Sequence, residues 1–114
     1  MGISENLKKG TSELLILYLL KSQDMYGYQI IEELHKRSNH VFDMKAGTLY
    51  PLLHQLAEKG FLTTYEKNVG EARVRKYYHL TQKGADYLAE REQDWHIFST
   101  AVQGVLGGDG CVLA

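Results

Sequence analysis

Residues 47–84 read GTLYPLLHQLAEKGFLTTYEKNVGEARVRKYYHLTQKG, and the reading of this stretch decides the fold. Leu49, Leu52, Leu53 and Leu56 fall at i, i+3, i+4 and i+7, so they form one apolar helical stripe facing a core. At about 100° per residue the opposite side collects Gly47, Tyr50, Pro51, His54 and Glu58, with Thr48 and Gln55 on the flanks. Thr48, Tyr50, His54 and Gln55 carry donors suited to phosphates or base edges, and most of them sit near the helix start, where reading helices touch DNA. The same distribution also fits the solvated face of an ordinary core helix. Pro51 marks either a kink or a later start, because a proline inside a helix beginning near Lys45 removes a hydrogen bond.

Two runs of strand composition follow, residues 61–66 and 73–80, with Asn68-Val69-Gly70-Glu71 supplying turn residues between them. Along the second run Val74, Lys76, Tyr78 and Leu80 share one face, and Arg73, Arg75, Tyr77 and His79 the other. Arg73, Arg75 and Lys76 cluster beside the turn, where they would reach phosphates or a minor groove. Charges on a protected edge strand are the plainer explanation. A polar-faced helix running directly into a basic hairpin favours DNA. The expected fold is therefore mainly α with a small β-hairpin, a winged helix-turn-helix followed by a long C-terminal helix.

The segment GTLYPLLHQLAEKGFL followed by RVRKYYHLTQKG resembles the PadR family of bacterial transcriptional regulators, in which a GTLYP helix precedes an RKYY-LT-G wing. Upstream, MYGYQIIEEL resembles that family's second helix. The likeness covers about residues 11–84, and a single long helix after it matches the short subgroup. It implies double-stranded operator DNA as partner, with contacts at Thr48, Tyr50, Arg73, Arg75, Lys76 and Tyr77; the helix face adds His54. Lys45-Ala46 stands where the family often has Ser-Pro, and His54 where Lys or Arg is frequent.

Composition fits one small soluble domain: 114 residues, 24% charged and 44% hydrophobic, enough chain to bury a single core. The net charge of −1 hides an uneven distribution. Residues 1–84 hold 12 Lys and Arg against 9 Asp and Glu. Residues 85–114 hold Arg91 alone against Asp86, Glu90, Glu92, Asp94 and Asp109. A mildly basic head thus precedes an acidic end, and local fields matter more than total charge for binding DNA. The apolar run Leu14 to Leu20 is far too short for a membrane span. One cysteine, Cys111, fits a reducing cytoplasm. Cys111-Val112-Leu113-Ala114 matches a prenylation box only formally, since the resemblance implies a bacterial host.

The first helix is expected over residues 6–22, apolar nearly all round and so in need of cover beyond one winged-helix core. A second helix is expected over residues 26–37, and residues 41–43 as a short first strand of the wing. Thr81 should cap a final helix reaching Val105. On it Leu88, Trp95 and Val102 recur every seven residues, Phe98 and Val105 fill the alternating seam, and Arg91 interrupts it. That arrangement predicts a homodimer through Leu88, Trp95, Phe98, Val102 and Val105; a helix folded back on its own core is the alternative. The expected organisation is a DNA-binding head at 1–80, a dimerisation helix at 81–106 and a flexible tail at 107–114.

Trp95 facing its symmetry mate, with Phe98 nearby, could sandwich a flat aromatic effector, a use that the resemblance to short PadR regulators also implies; simple seam packing explains it equally well. No catalytic grouping, cofactor motif or metal-ligand spacing emerges: His35, His40, His54, His79 and His96 are scattered, and the glycine-rich tract precedes no helix. The leading expectation is a dimeric, ligand-responsive repressor. A winged-helix module for protein association and a small-molecule-binding dimer without an operator are the alternatives.

Overall fold

The computed structural model describes residues 11–107. In chain order the elements are α1 (Ser12–Ser22), β1 (Met25–Tyr26), α2 (Gly27–Arg37), α3 (Ala46–Glu58), β2 (Leu62–Gly70), β3 (Arg73–Leu80) and α4 (Gln82–Val105). The strands form one antiparallel sheet in the order β1-β3-β2. This is a winged helix: α2 and α3 make the helix-turn-helix, and β2 and β3 make the wing. The expected beginning of the first helix and the glycine-rich tail with Cys111 lie outside the described residues, apart from Thr11 to Ser22 and Gly107.

The leucine stripe does what its spacing predicts. Leu49, Leu53 and Leu56 are fully buried and Leu52 partly, against Ile30 and Leu34 of α2 and Ile16, Leu17, Leu19 and Leu20 of α1. Each such side chain contributes about 1.5–3 kcal/mol of burial. Pro51 lies inside α3, and the helix continues through it. Its termination is set by Gly60, whose φ of 85° is the left-handed conformation that closes a helix. There the amide of Gly60 donates to the Ala57 carbonyl and that of Phe61 to the Leu56 carbonyl, both at 3.0 Å. The same closure ends α2: Asn39, at φ 55°, donates to Lys36, and His40 to His35.

Two local expectations are corrected. Residues 41–43 form no strand; the amide of Phe42 is taken by the Ser38 hydroxyl at 2.8 Å, and the Phe42 side chain packs against the core. The first strand is Met25–Tyr26 instead, paired with Tyr78 and Tyr77 of β3. The wing is also longer than expected. Pairing continues through Lys67↔Arg75 and Asn68↔Val74 to Gly70↔Arg73, a bulge between Asn68 and Gly70 absorbs the extra residue, and the turn is Glu71-Ala72 with Ala72 at φ 53°.

Thr81 joins sheet to α4. Its hydroxyl accepts from the Gly84 amide at 3.0 Å and donates to the Gly60 carbonyl at 2.7 Å, an N-cap that also fixes the end of α3. The first turns of α4 pack on the head: Tyr87 stacks on Phe61 at 4.3 Å and donates to Glu13 of α1 at 2.8 Å. Leu88 is 1% exposed within the chain's own core. This corrects its assignment to an intermolecular seam, because the head already encloses it. Beyond Arg91 and Glu92 the helix runs on with almost every side chain exposed.

Candidate nucleic-acid interface

The amphipathicity of α3 leaves Gly47, Thr48, Tyr50, Pro51, His54, Gln55 and Glu58 on the surface. Its N-terminal turn is held by the Thr48 and Leu49 amides bonding the Lys45 carbonyl. Thr48 and Tyr50 therefore stand at the positive end of the helix dipole, a position that favours anionic phosphate. His54 faces away from the buried stripe and lies 3.4 Å from Glu58 one turn on, so a carboxylate accompanies it.

Tyr50 has a neighbour that sequence spacing does not reveal. Its ring crosses the N-terminus of α2 where Gly27 leaves room, and a methyl group on Gly27 would collide with the Tyr50 ring and hydroxyl. Burial, and after it the nearby Tyr28, push the Tyr50 phenol above its ordinary range; burial and then Tyr50 do the same to Tyr78. Both remain protonated at neutral pH and can donate. Tyr28, 65% exposed in the first turn of α2, stands in the open beside them.

The wing meets this tyrosine cluster along one side. Because β1 is only two residues long, the edge of β3 beyond it has no strand partner among the described residues from Arg73 to Lys76. A groove of about 420 Å³ runs between that edge and the helices, with Tyr28, Tyr50, Arg73, Arg75 and Lys76 among its walls. The fold thus brings Tyr50 to Arg73, Arg75 and Lys76, which are more than twenty positions away in sequence. Thr48 and His54 are on the exposed face of α3 outside this groove's lining. Tyr28 and Gly27 were missed by sequence reasoning; an aromatic on either side of a glycine at a helix start was the available signal.

Tyr77 shares a strand face with Arg73 and Arg75 but does not line the groove. Strand alternation turns it to the outer face of the sheet, in a cross-strand row with Tyr26 and Tyr65. Its centroid lies 5.6 Å from each, edge-on to Tyr26 and near-parallel to Tyr65. The Arg75 guanidinium covers Tyr26 at 4.1 Å and Lys67 covers Tyr77 at 5.3 Å. At the base of the row Asp24 accepts from the Tyr65 hydroxyl at 2.7 Å and meets His79 Nδ1 at 2.8 Å. Burial alone would raise the Asp24 carboxyl; the bonds from Tyr65 and His79 and the His79 charge outweigh it and hold the group below its ordinary value.

The distal part of α4 presents a second, apolar surface. Trp95 is 45% and Phe98 62% exposed, their rings 6.1 Å apart and tilted by 42°. A shallow depression of about 300 Å³ follows along Phe98, Ala101, Val102, Val105 and Leu106. Arg91, which breaks the heptad, turns back over the Tyr87 ring and pairs with Asp94 at 2.8 Å.

The chain as a whole is similar to known proteins. The transcriptional regulator PadR-like family matches residues 16–90. A transcriptional regulator of Mycobacterium tuberculosis is 32% identical over 101 residues, 89% of this chain and 88% of its own length. Among solved structures, a PadR-like transcriptional regulator from Bacillus cereus is 32% identical with a TM-score of 0.81, covering 92% of this chain and 100% of that one. A transcriptional regulator from Clostridium thermocellum is 27% identical with the same TM-score of 0.81, covering 90% of this chain and 96% of that one.

Proposed function

Since the chain belongs to the PadR-like family of transcriptional regulators, we propose that it acts as a homodimeric repressor. In this reading it binds operator DNA in the cytoplasm and is released by a planar aromatic ligand. The observation that carries the DNA role is the meeting of Tyr50 at the α3 N-terminus with Arg73, Arg75 and Lys76 in one basic groove. Thr48, Tyr50 and His54 would lie in or beside the major groove, while Arg73, Arg75 and Lys76 hold flanking phosphates. Tyr77, turned to the outer face of the wing, would support the strand that carries those cations. Among the described residues no helix is long and apolar enough to cross a membrane, and no group of three or more His, Cys, Asp or Glu is placed to hold a metal ion.

Support for the dimer comes from the uncovered apolar face of α4, with Trp95, Phe98, Val102 and Val105 left in water by their own chain. Pairing two such helices about a two-fold axis would cover that face and bring the two Trp95 rings together. A planar aromatic compound stacked between them would gain about 0.5–1.5 kcal/mol beyond area burial. It would release DNA only by favouring a spacing of the two α3 helices that the operator does not accept.

The test is a titration of the promoter fragment of the chain's own gene with the intact protein, across salt and with and without planar aromatic compounds. Salt-dependent binding, relieved by a compound that also quenches Trp95, the sole tryptophan, is the expected result. Release that survives in Trp95→Ala would move the effector away from α4. Quenching without any duplex binding would leave a small-molecule-binding dimer without an operator.

A further inference from the structure

The outer face of the wing carries Tyr65, Tyr77 and Lys67, none of which lines the groove of the operator reading. Tyr26, Tyr77 and Tyr65 stand side by side on β1, β3 and β2, a row of three rings across the whole width of the sheet. Tyr65, on the edge strand, is 42% exposed, and its hydroxyl is tied to Asp24, so its ring is held in place before any ligand arrives. Toward the tip, alternation puts Lys67, Arg75 and Arg73 on this same face, and Glu66 on the opposite one. The acid at the base of the row, Asp24, is engaged by Tyr65 and His79.

We propose that this face binds a short single strand of nucleic acid, with unpaired bases stacking on Tyr65 and Tyr77 and phosphates held by Lys67, Arg73 and Arg75. Aromatic rings carried on adjacent strands and bordered by cations match the two needs of a single strand: a π-face for each base and positive charge along the backbone. A duplex keeps its bases stacked inside and cannot use the rings. An acidic peptide would use the cations but gives no role to three tyrosines. The cations that now cover Tyr26 and Tyr77 have long side chains, so they can leave the rings for phosphates as bases arrive. Arg73 and Arg75 border the groove with Tyr28, Tyr50 and Lys76 as well, so the two surfaces share them; Tyr65, Tyr77 and Lys67 lie outside that groove and tell the two apart.

The experiment measures fluorescence anisotropy of labelled homodeoxyuridine and homouridine oligomers, which differ only in the sugar, with the full-length chain, beside a labelled duplex. Tyr65→Ala should weaken oligomer binding about ten-fold, the usual worth of one base-stacking ring. Tyr65→Phe, which keeps the ring but loses its tie to Asp24, should retain most of the binding. Lys67→Ala should reduce the salt slope for the oligomer by about 0.7, one phosphate contact on a single strand. Duplex affinity and melting temperature should be unchanged in the two Tyr65 variants. A preference between the oligomers would name DNA or RNA as the ligand, and equal affinity would show that the sugar is not read. Oligomer binding indifferent to Tyr65→Ala overturns the proposal, as does equal weakening of duplex and oligomer by that change, which would assign the face to the operator site. Failure of both oligomers to bind while a polyglutamate peptide does so also overturns it.

Discussion

Leu88 and Trp95 are one heptad apart on the same face of the same helix, yet one is sealed in the core and the other stands in water. Leu88 is covered by the head; Trp95, seven residues on, has only Phe98 for an aromatic neighbour. The 24-residue α4 therefore serves two physical roles in two halves. Its first half completes the winged helix through Thr81, Tyr87 and Leu88. Its second half adds nothing to that core and keeps a stripe of large apolar side chains exposed, which costs free energy unless something else covers it. Heptad spacing is the same in both halves. What differs is where the head ends.

The largest expected effect tests the distal half. On the proposed dimer, Val102→Asp would bury an unpaired charge in each protomer, a change that costs about 3–5 kcal/mol when a buried charge has no partner. Sedimentation should move from dimer to monomer while helical circular dichroism of the head persists. A wild-type chain that sediments as a monomer at all practical concentrations would remove the dimer and leave the distal stripe of α4 without its proposed cover.

The proximal half predicts the reverse. Leu88→Ala should lower stability by about 2–5 kcal/mol, as a large-to-small change at a closed core site does. Chemical denaturation should show this loss even under conditions that separate protomers. If Leu88→Ala acted only by dissociating a dimer, the placement of Leu88 inside its own chain would be wrong.

A smaller effect separates the head's proposed DNA surface from both halves of the helix. Arg73→Ala combined with Lys76→Ala should weaken binding to every duplex and flatten the salt dependence by about two units, one per lost phosphate contact. Oligomeric state and melting temperature should not move, since both side chains are exposed at the wing. An unchanged slope in a salt titration would take the wing out of the interface.

The sequence carried the elements whose information is local. Leu49, Leu53 and Leu56 recur with the helix period, and Thr81 precedes an uninterrupted helical run, so α3 and the start of α4 were legible. The basic cluster of Arg73, Arg75 and Lys76 was legible for the same reason. Features that depend on a distant partner were not. Met25–Tyr26 is too short to show a strand period and exists because β3 offers an edge to pair with. Asn68-Val69-Gly70 has the composition of a turn, but continued pairing with β3 moves the turn to Glu71-Ala72 and leaves a bulge behind. Leu88 shared its spacing with the distal stripe, and spacing does not record which neighbours cover a residue. The site was divided in the same way: the exposed face of α3 and the alternation that puts Tyr77 with Arg73 and Arg75 could be read, whereas the contact of Tyr50 with Gly27 and the cross-strand row of Tyr26, Tyr77 and Tyr65 could not.

The smallest expected effect concerns Tyr50, where the head's core and its proposed DNA surface meet in one side chain. Its ring packs over Gly27 while its hydroxyl borders the basic groove. Tyr50→Phe keeps the ring and deletes only the hydroxyl, so it should cost about 1 kcal/mol of duplex affinity if that group bonds a phosphate. Melting temperature should hardly change, because the ring contacts persist. Gly27→Ala probes the other side of the same contact. The added methyl group collides with the end of the Tyr50 side chain, which can swing outward, so the chain should still fold but with the hydroxyl displaced. Duplex affinity should fall at least as far as in Tyr50→Phe, and combining the two changes should cost less than the separate losses together, since both remove one hydroxyl contact. Additive losses would mean that Gly27 acts on DNA binding by a route other than Tyr50. A large drop in melting temperature for Tyr50→Phe with affinity intact would place the hydroxyl in the core and take it out of the interface.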